Sequence, residues 1–260
     1  MLRLTVCELR KLKKSNILWI IIAGAFFSAF VTFVQFVMAQ NIDPQASTFE
    51  DFYLAAIWNN FCVAFPFVIT IMGGMIFNQE YSSGTLKSIL TIPISIQRLY
   101  FAKIFVIGIL VLALSAINYV FLIIGSILLQ LQGIRGFHLL KSFLQIFGIA
   151  VFIFIAVLPL IIWGFRKVNG YYPMLVVAFM YGFFGSLLIP KGFGDFYPIT
   201  AGLRIMKYAV LPKGSSSAAF ITVAIMIFIS ISIICFVPYS YEKASQSSKK
   251  VNVKKRHSCS

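Results

Sequence analysis

The stretch that decides the fold class is Ile17–Met38, which reads ILWIIIAGAFFSAFVTFVQFVM. It contains 22 consecutive residues and no charged side chain. A helix of about 20 apolar residues crosses about 30 Å of hydrocarbon, so this stretch is long enough to span a bilayer. A secretory signal has an apolar core of only about 7–15 residues. We therefore interpret Ile17–Met38 as a retained membrane span.

Similar apolar runs recur along the chain. We predict six spans, at about residues 17–38, 57–77, 104–130, 142–164, 172–190 and 219–238. None of them contains a charged residue, and 60% of the 260 residues are apolar. The mean hydropathy of +0.93 is that of a protein whose solvent is lipid. The sequence therefore predicts an all-α integral membrane protein, with one transmembrane domain over residues 1–241 and a basic cytoplasmic tail over 242–260 that we expect to be disordered.

The basic residues set the predicted orientation. With both termini in the cytoplasm, the cytoplasmic segments hold 16 of the 22 Lys and Arg residues and the outer segments hold 6. Positive charge accumulates on the cytoplasmic side of membrane proteins, which favours this topology. The net charge of +15 is explained by the same bias, so no nucleic-acid partner is predicted.

The N-terminal segment is predicted to be an amphipathic helix over residues 2–15 that lies on the membrane surface. Its apolar face would contain Leu2, Val6 and Leu9. Glu8 precedes Lys11 by three residues, which predicts a weak surface ion pair.

A second helix is predicted before the last span, within residues 191–218. Pro198 can begin it, and its apolar stripe would contain Ile199, Leu203, Met206 and Val210. We expect this helix to be interfacial or re-entrant, with Arg204 and Lys207 against lipid phosphates.

Catalytic motifs are absent from the sequence. The dipeptide Gly-Lys does not occur, which excludes a P-loop, and no HExxH motif is present. No Asp or Glu falls within a predicted span, which removes a carboxylate proton relay. The sequence thus predicts no enzyme activity, no metal site and no directly bound cofactor.

The segment between spans 2 and 3 is the most informative motif. Residues 77–95 read FNQEYSSGTLKSILTIPIS. Gly84 permits a sharp turn, Thr85 can cap a short helix, and Pro93 ends it. Leu86 and Leu90 would give that helix an apolar edge facing the cytoplasm. Such an element could receive force from a soluble partner, and a plain surface loop is the alternative.

Two patterns resemble a known family. Glu80-Tyr81-x-x-Gly84-Thr85-Leu86-Lys87, followed by Leu90-x-x-Pro93-Ile94-Ser95 and Lys103, resembles the signature of permease subunits of type-2 ATP-binding-cassette exporters. The opening Glu8-Leu9-x-Lys11-Leu12-Lys13-Lys14 is similar to the elbow helix at the start of that family. The surface helix, the six spans and the helix before the last span match the family over essentially the whole chain.

The resemblance implies a bacterial plasma-membrane complex of two permeases, identical or sibling, with two separate ATPase subunits that bind ATP and Mg. It implies a coupling helix that docks on the ATPase, formed by Glu80, Gly84, Thr85, Leu86, Leu90 and Pro93. It implies an elbow helix that uses Glu8, Lys11, Lys13 and Lys14. Within the family the chain most resembles permeases of lantibiotic immunity and bacitracin resistance, which remove membrane-active peptides from the bilayer.

Polar side chains inside the predicted spans are the remaining candidates. They are Gln35, Asn59, Asn60, Asn118 and Tyr119. Buried amides prefer protein partners over lipid, so we expect them to face other helices. Two roles are open for them, helix contact or the lining of a substrate path.

The functional hypothesis is the permease of an ATP-driven exporter of an antimicrobial peptide or another hydrophobic compound. The alternative hypothesis is a membrane sensor or assembly module that transports nothing and has no ATPase partner.

Overall fold

The computed structural model describes residues 2–12, 15–42, 48–82, 96–164, 171–208 and 214–235. These ranges are almost entirely helical. In chain order the helices are α1 (Leu2–Leu12), α2 (Ile17–Ile42), α3 (Phe49–Asn59), a π-helical segment (Asn60–Ala64), α4 (Phe65–Ser82), α5 (Ile96–Leu128), α6 (Gly136–Gly164), α7 (Tyr171–Leu188), α8 (Pro198–Ile205) and α9 (Ser216–Cys235).

Five of the described helical stretches are long and apolar enough to cross a membrane. They are Ile17–Asn41, Phe49–Phe77, Gln97–Leu128, Gly136–Trp163 and Ser216–Cys235. The predicted fifth span corresponds to a shorter apolar helix, Pro173–Leu188, whose 16 residues would extend about 24 Å. The prediction of an all-α, multi-pass membrane protein is confirmed.

Span 2, formed by α3, the π-helical segment and α4, lies at the centre of the bundle. It contacts α2, α5, α6 and α7, and most of its side chains are buried. The other long helices keep a lipid-facing side, for example at Trp19 and Phe27 of α2. The chain therefore packs its spans around the second one.

Span 2 begins earlier than the sequence pattern indicated. The prediction placed the start of this span at about residue 57, but α3 begins at Phe49. The Thr48 hydroxyl accepts a hydrogen bond from the Asp51 N–H at 3.3 Å, and Glu50 and Asp51 occupy the first turn. Capping and the helix dipole both favour acidic residues there, which is why the helix extends into the polar stretch.

The π-helical segment ends at Ala64, two residues before Pro66. Proline has no N–H, so Pro66 cannot bond to the Cys62 carbonyl as a regular helix would require. Gly182 of α7 approaches this same carbonyl, and an added Cβ atom at Gly182 would overlap the Cys62 oxygen. The local widening of span 2 is thus matched by a glycine on the neighbouring helix.

The helix predicted before the last span is α8, which has eight residues and begins at Pro198. Ile199 and Leu203 of the predicted apolar stripe are buried, and α8 packs against α6. Met206 ends the helix as its C-cap, and Val210 lies outside the described residues.

The expected position of Arg204 against lipid phosphates is wrong. Its Nε donates to Asp195 Oδ1 at 2.6 Å, and its side chain is only 14% exposed. Asp195 Oδ2 also accepts from the Ser215 N–H at 2.8 Å, next to the start of α9. A carboxylate nine residues away satisfies the guanidinium better than mobile headgroups can, because it is fixed and partly desolvated. Asp195 therefore ties α8 to α9.

Replacing Asp195 with Ala should destabilise the α8–α9 region by roughly 2–4 kcal/mol, because Arg204 and the Ser215 N–H would lose their acceptor in a largely buried site. Denaturant unfolding of the purified protein would measure this loss. Lys191→Ala removes an exposed charge of the same segment and serves as the control. Equal stability of the two variants would contradict the assignment.

Candidate functional site

The predicted coupling segment joins α4 to α5. Of its predicted residues, Glu80 lies in the last turn of α4, which continues to Ser82. Gly84, Thr85, Leu86, Leu90 and Pro93 lie outside the described residues. The next described residue is Ile96, where α5 begins. The structure thus places the segment between the ends of two long helices, one from span 2 and one from span 3.

The elbow helix α1 packs against α5. Its buried side chains are Thr5, Glu8 and Leu12, whereas Val6 is 46% exposed and Leu9 is partly buried. Val6, on the predicted apolar face, therefore lies away from the side of α1 that packs against the bundle. The Glu8 carboxylate therefore faces the interior of the protein, where a basic side chain binds it. Lys13 and Lys14 lie outside the described residues.

That partner is Lys103 of α5. Its Nζ lies 3.2 Å from Glu8 Oε2 and 3.0 Å from the backbone oxygen of Ile76 in α4. The same Nζ lies 5.6 Å from the centroid of the Phe77 ring. The predicted pair of Glu8 with Lys11 also forms, and only its Lys11 end is at the surface, with a side chain 45% exposed against 6% for Glu8. The side chain of Lys103 is only 2% exposed.

The charge state of Glu8 follows from these neighbours. Burial alone would raise the pKa of the Glu8 carboxyl, but the charges and hydrogen bonds of Lys103 and Lys11 outweigh burial and hold the pKa below the usual 4.5. Glu8 is therefore ionised at neutral pH. The three side chains form a compact charged cluster at the junction of α1, α4 and α5.

The intramembrane amides form a second polar site. The Ser28 hydroxyl of α2 donates to Asn60 Oδ1, and Asn60 Nδ2 donates to Asn118 Oδ1 of α5 at 2.9 Å. Asn118 Nδ2 then donates to the backbone oxygen of Ala25 at 3.0 Å. Asn60 and Asn118 are fully buried. This chain of hydrogen bonds joins α2, span 2 and α5.

A second set of hydrogen bonds connects Asn59 of span 2 to α2. Asn59 Nδ2 donates to Thr32 Oγ1 at 3.0 Å and to Gln35 Oε1 at 2.7 Å. Asn59 is half-buried and Gln35 is exposed. These bonds therefore extend the polar network to the surface of the single chain, on helices whose other residues are mostly apolar.

Tyr119 lies apart from this network. Its hydroxyl donates to the backbone oxygen of Leu139 at 2.7 Å and lies 3.3 Å from Ser142 Oγ, both in α6. Of the five predicted intramembrane residues, the structure thus brings four together and places the fifth between α5 and α6.

Sequence reasoning missed Ser28 and Thr32 as members of the network. A signal was present, because residues 28, 32 and 35 are spaced by four and three and so share one face of α2. It also missed Tyr53 and Gln145, whose side chains bond at 3.0 Å between span 2 and α6. Gln145 Nε2 continues to the backbone oxygen of Met206 at 3.0 Å. Nothing in the local sequence pairs residues so far apart.

An apolar groove of about 180 Å³ lies between α2 and α5. It is lined by Phe26, Ala29, Phe30, Phe33, Phe121, Ile124, Gly125 and Leu128. Two of the lining rings, Phe26 and Phe30, are exposed on the surface of the bundle. The lining matches an acyl chain of the bilayer and equally matches the apolar part of an amphipathic molecule.

Comparison with known proteins adds two findings. A family model described as "ABC-2 family transporter protein" matches residues 4–185, which is more than half of the chain. The chain is also similar to the "Bacitracin transport permease protein BCRB" of Bacillus licheniformis, with 24% identity over 154 residues that cover 59% of this chain and 74% of that protein. No solved structure matches the chain significantly. The family match includes α1, the coupling segment and the amide network.

Proposed function

This chain belongs to the ABC-2 family of transporter proteins and is an ABC transporter permease subunit, and from this premise we propose that it exports a membrane-active antimicrobial peptide or a similar hydrophobic compound. As a permease of this family it is a multi-pass protein of the plasma membrane that works with an ABC ATPase. The observation that carries the substrate proposal is its similarity to a bacitracin transport permease. The phenylalanine-lined groove between α2 and α5 supports it, because an amphipathic peptide needs an apolar surface.

ATP and Mg would bind to the partner subunit. The reason for this assignment is the absence of a Gly-Lys dipeptide, and therefore of a P-loop, from this sequence. We place the coupling segment and both termini on the cytoplasmic side, where the ATPase works. The excess of Lys and Arg in the proposed cytoplasmic segments, 16 of 22, supports this orientation.

A second permease, identical or sibling, would complete the transporter. Gln35 and Asn59 support this, because exposed amides are costly in hydrocarbon and are expected to be covered by protein or to line a polar path. The face of α2 and span 2 that carries them would then lie at the seam between the two permeases, beside the route of the substrate.

The direct test is purification of the tagged chain from membranes of the bacterium that produces it. We expect a P-loop ATPase to co-purify, and deletion of the chain to increase sensitivity to bacitracin or to a lantibiotic. Absence of any ATPase, under conditions that preserve other membrane complexes, would contradict the proposal and favour the sensor or assembly hypothesis.

Glu80→Ala and Gly84→Val should each reduce export by about tenfold or more, with insertion into the membrane unchanged. Glu80 occupies the last turn of α4, and the motif assigns to Gly84 the turn that follows it. Resistance of whole cells and the amount of chain in the membrane would be measured together. Gln97→Ala, at an exposed position early in α5, is the control. Full resistance in both variants would show that the segment does not couple the subunits.

A further inference from the structure

We propose that the buried ion pair between Glu8 and Lys103 is the joint that makes the elbow helix, the end of span 2 and the start of span 3 move as one body. On this basis Glu8 and Lys103 are positioning residues for the coupling of ATP hydrolysis to export. The inference rests on the proposed function for its transport consequence, and on geometry alone for the joint itself.

The geometry is that of a three-way contact. Lys103 belongs to α5, and its Nζ reaches Glu8 of α1 at 3.2 Å and the Ile76 carbonyl of α4 at 3.0 Å. An ammonium group has three N–H donors, so it can hold both acceptors at once. One side chain therefore connects three helices that are otherwise separate in the chain.

The position of the contact is next to the coupling segment. Ile76 lies six residues before the end of α4, and Lys103 lies seven residues after the start of α5. At 1.5 Å per residue, the joint is about 10 Å from both helix ends that flank residues 83–95. The joint is therefore much nearer to these helix ends than Asn60 and Asn118 of the amide network are.

Stability alone does not account for a charged joint. The side chains of Glu8 and Lys103 are 6% and 2% exposed, so both lose most of their hydration. Replacing such a buried pair with apolar side chains is often neutral or stabilising. Leucine at both positions would also pack, but it would not fix the angle between α1 and α4, because apolar contacts have no preferred direction. The charges hold α1 at one defined orientation to α4.

Lys11 offers a matched comparison within the same cluster. It binds the other oxygen of Glu8, but its side chain is 45% exposed. It also belongs to α1, so it joins no second helix to α1 through this contact. If the joint works as proposed, loss of Lys11 should matter much less than loss of Lys103.

The experiment uses the full chain assembled with its ATPase in lipid nanodiscs. Spin labels at cysteines replacing Arg10 in α1 and Gln97 in α5, both exposed, report the distance between these helices in a background without the native cysteines. The variants are Glu8→Gln, Lys103→Met, the control Lys11→Ala and the double variant Glu8→Leu/Lys103→Leu. The amount of complex, its ATPase rate and its ATP-driven export of bacitracin are measured beside the distance.

We expect a narrow distance distribution in the wild type and in Lys11→Ala, with and without ATP. It should broaden in Glu8→Gln and Lys103→Met, and export per assembled complex should fall about tenfold while ATP hydrolysis continues. The double apolar variant should assemble normally and still show the broad distribution and low export.

Three results would overturn the joint. The first is that all variants show equal distance distributions. The second is that the double apolar variant keeps a narrow distribution together with full export. The third is that every loss of export is explained by a smaller amount of assembled complex. A wild type that exports no bacitracin would contradict the proposed substrate instead, and the distance distributions would still decide whether the joint exists.

Discussion

Gly182→Leu should prevent the protein from accumulating in folded form. Gly182 of α7 faces the Cys62 carbonyl at the π-helical segment of span 2, and even a single Cβ atom would overlap that oxygen. Backbone atoms cannot rotate away as a side-chain end can, so α7 must separate from the central span. We expect a loss of at least about 3 kcal/mol, which is large for one substitution.

The measurement is the yield and thermal stability of the detergent-solubilised chain. Gly108→Ala is the matched control, since the nearest atom to its new Cβ would be a Phe154 ring carbon at 3.6 Å, an ordinary contact. That variant should behave like the wild type or fold slightly better, because alanine favours helix over glycine. A Gly182→Leu protein as stable as the control would mean that α7 does not touch span 2 at this point.

The second large effect is expected at Asn118. Leucine at this position removes the acceptor for Asn60 Nδ2, which then lies in a fully buried, apolar region without that partner. We expect a loss of about 2–3 kcal/mol, somewhat more than the typical side-chain hydrogen bond between membrane helices, because the buried donor is left unpaired.

A double variant separates this mechanism from simple misfit. Asn60→Leu/Asn118→Leu removes donor and acceptor together, so its cost should be smaller than the sum of the two single costs. Ser230→Ala is the control, because the Ser230 hydroxyl donates to the Met226 oxygen of its own helix at 2.8 Å. Unfolding in increasing sodium dodecyl sulfate would measure all four variants. Strict additivity would contradict a direct Asn60–Asn118 bond.

Much of the fold follows from local sequence. Apolar runs located the long helices, and Pro198 located the start of α8, because hydropathy and proline geometry act within a few residues. The start of span 2 was missed although Thr48 and Asp51 have the spacing of a helix cap. The apolar run by itself begins near residue 57, whereas the first turn of a helix also favours acidic residues such as Glu50 and Asp51.

The candidate sites were predictable only in part. Hydrocarbon has no hydrogen-bonding groups, so buried amides such as Asn60 and Asn118 were expected to face other helices, and the structure shows the bonds that they make there. The elbow helix was predicted from its amphipathic pattern, but the side of it that packs against α5 was not. Its orientation depends on Lys103, which lies 95 residues further along the chain than Glu8.

The sequence by itself determined that the chain is a bundle of membrane helices with a basic elbow and without a P-loop motif. The first property follows because the free energy of transfer from water to lipid sums over the residues of each apolar run. The others follow from which residues are present in a local stretch of the chain. Only the tertiary structure decided that Glu8 meets Lys103, that Asp195 meets Arg204, and that Gly182 faces Cys62. Each of these contacts requires two helix faces to be turned toward each other, and that rotation is set by the packing of the whole bundle.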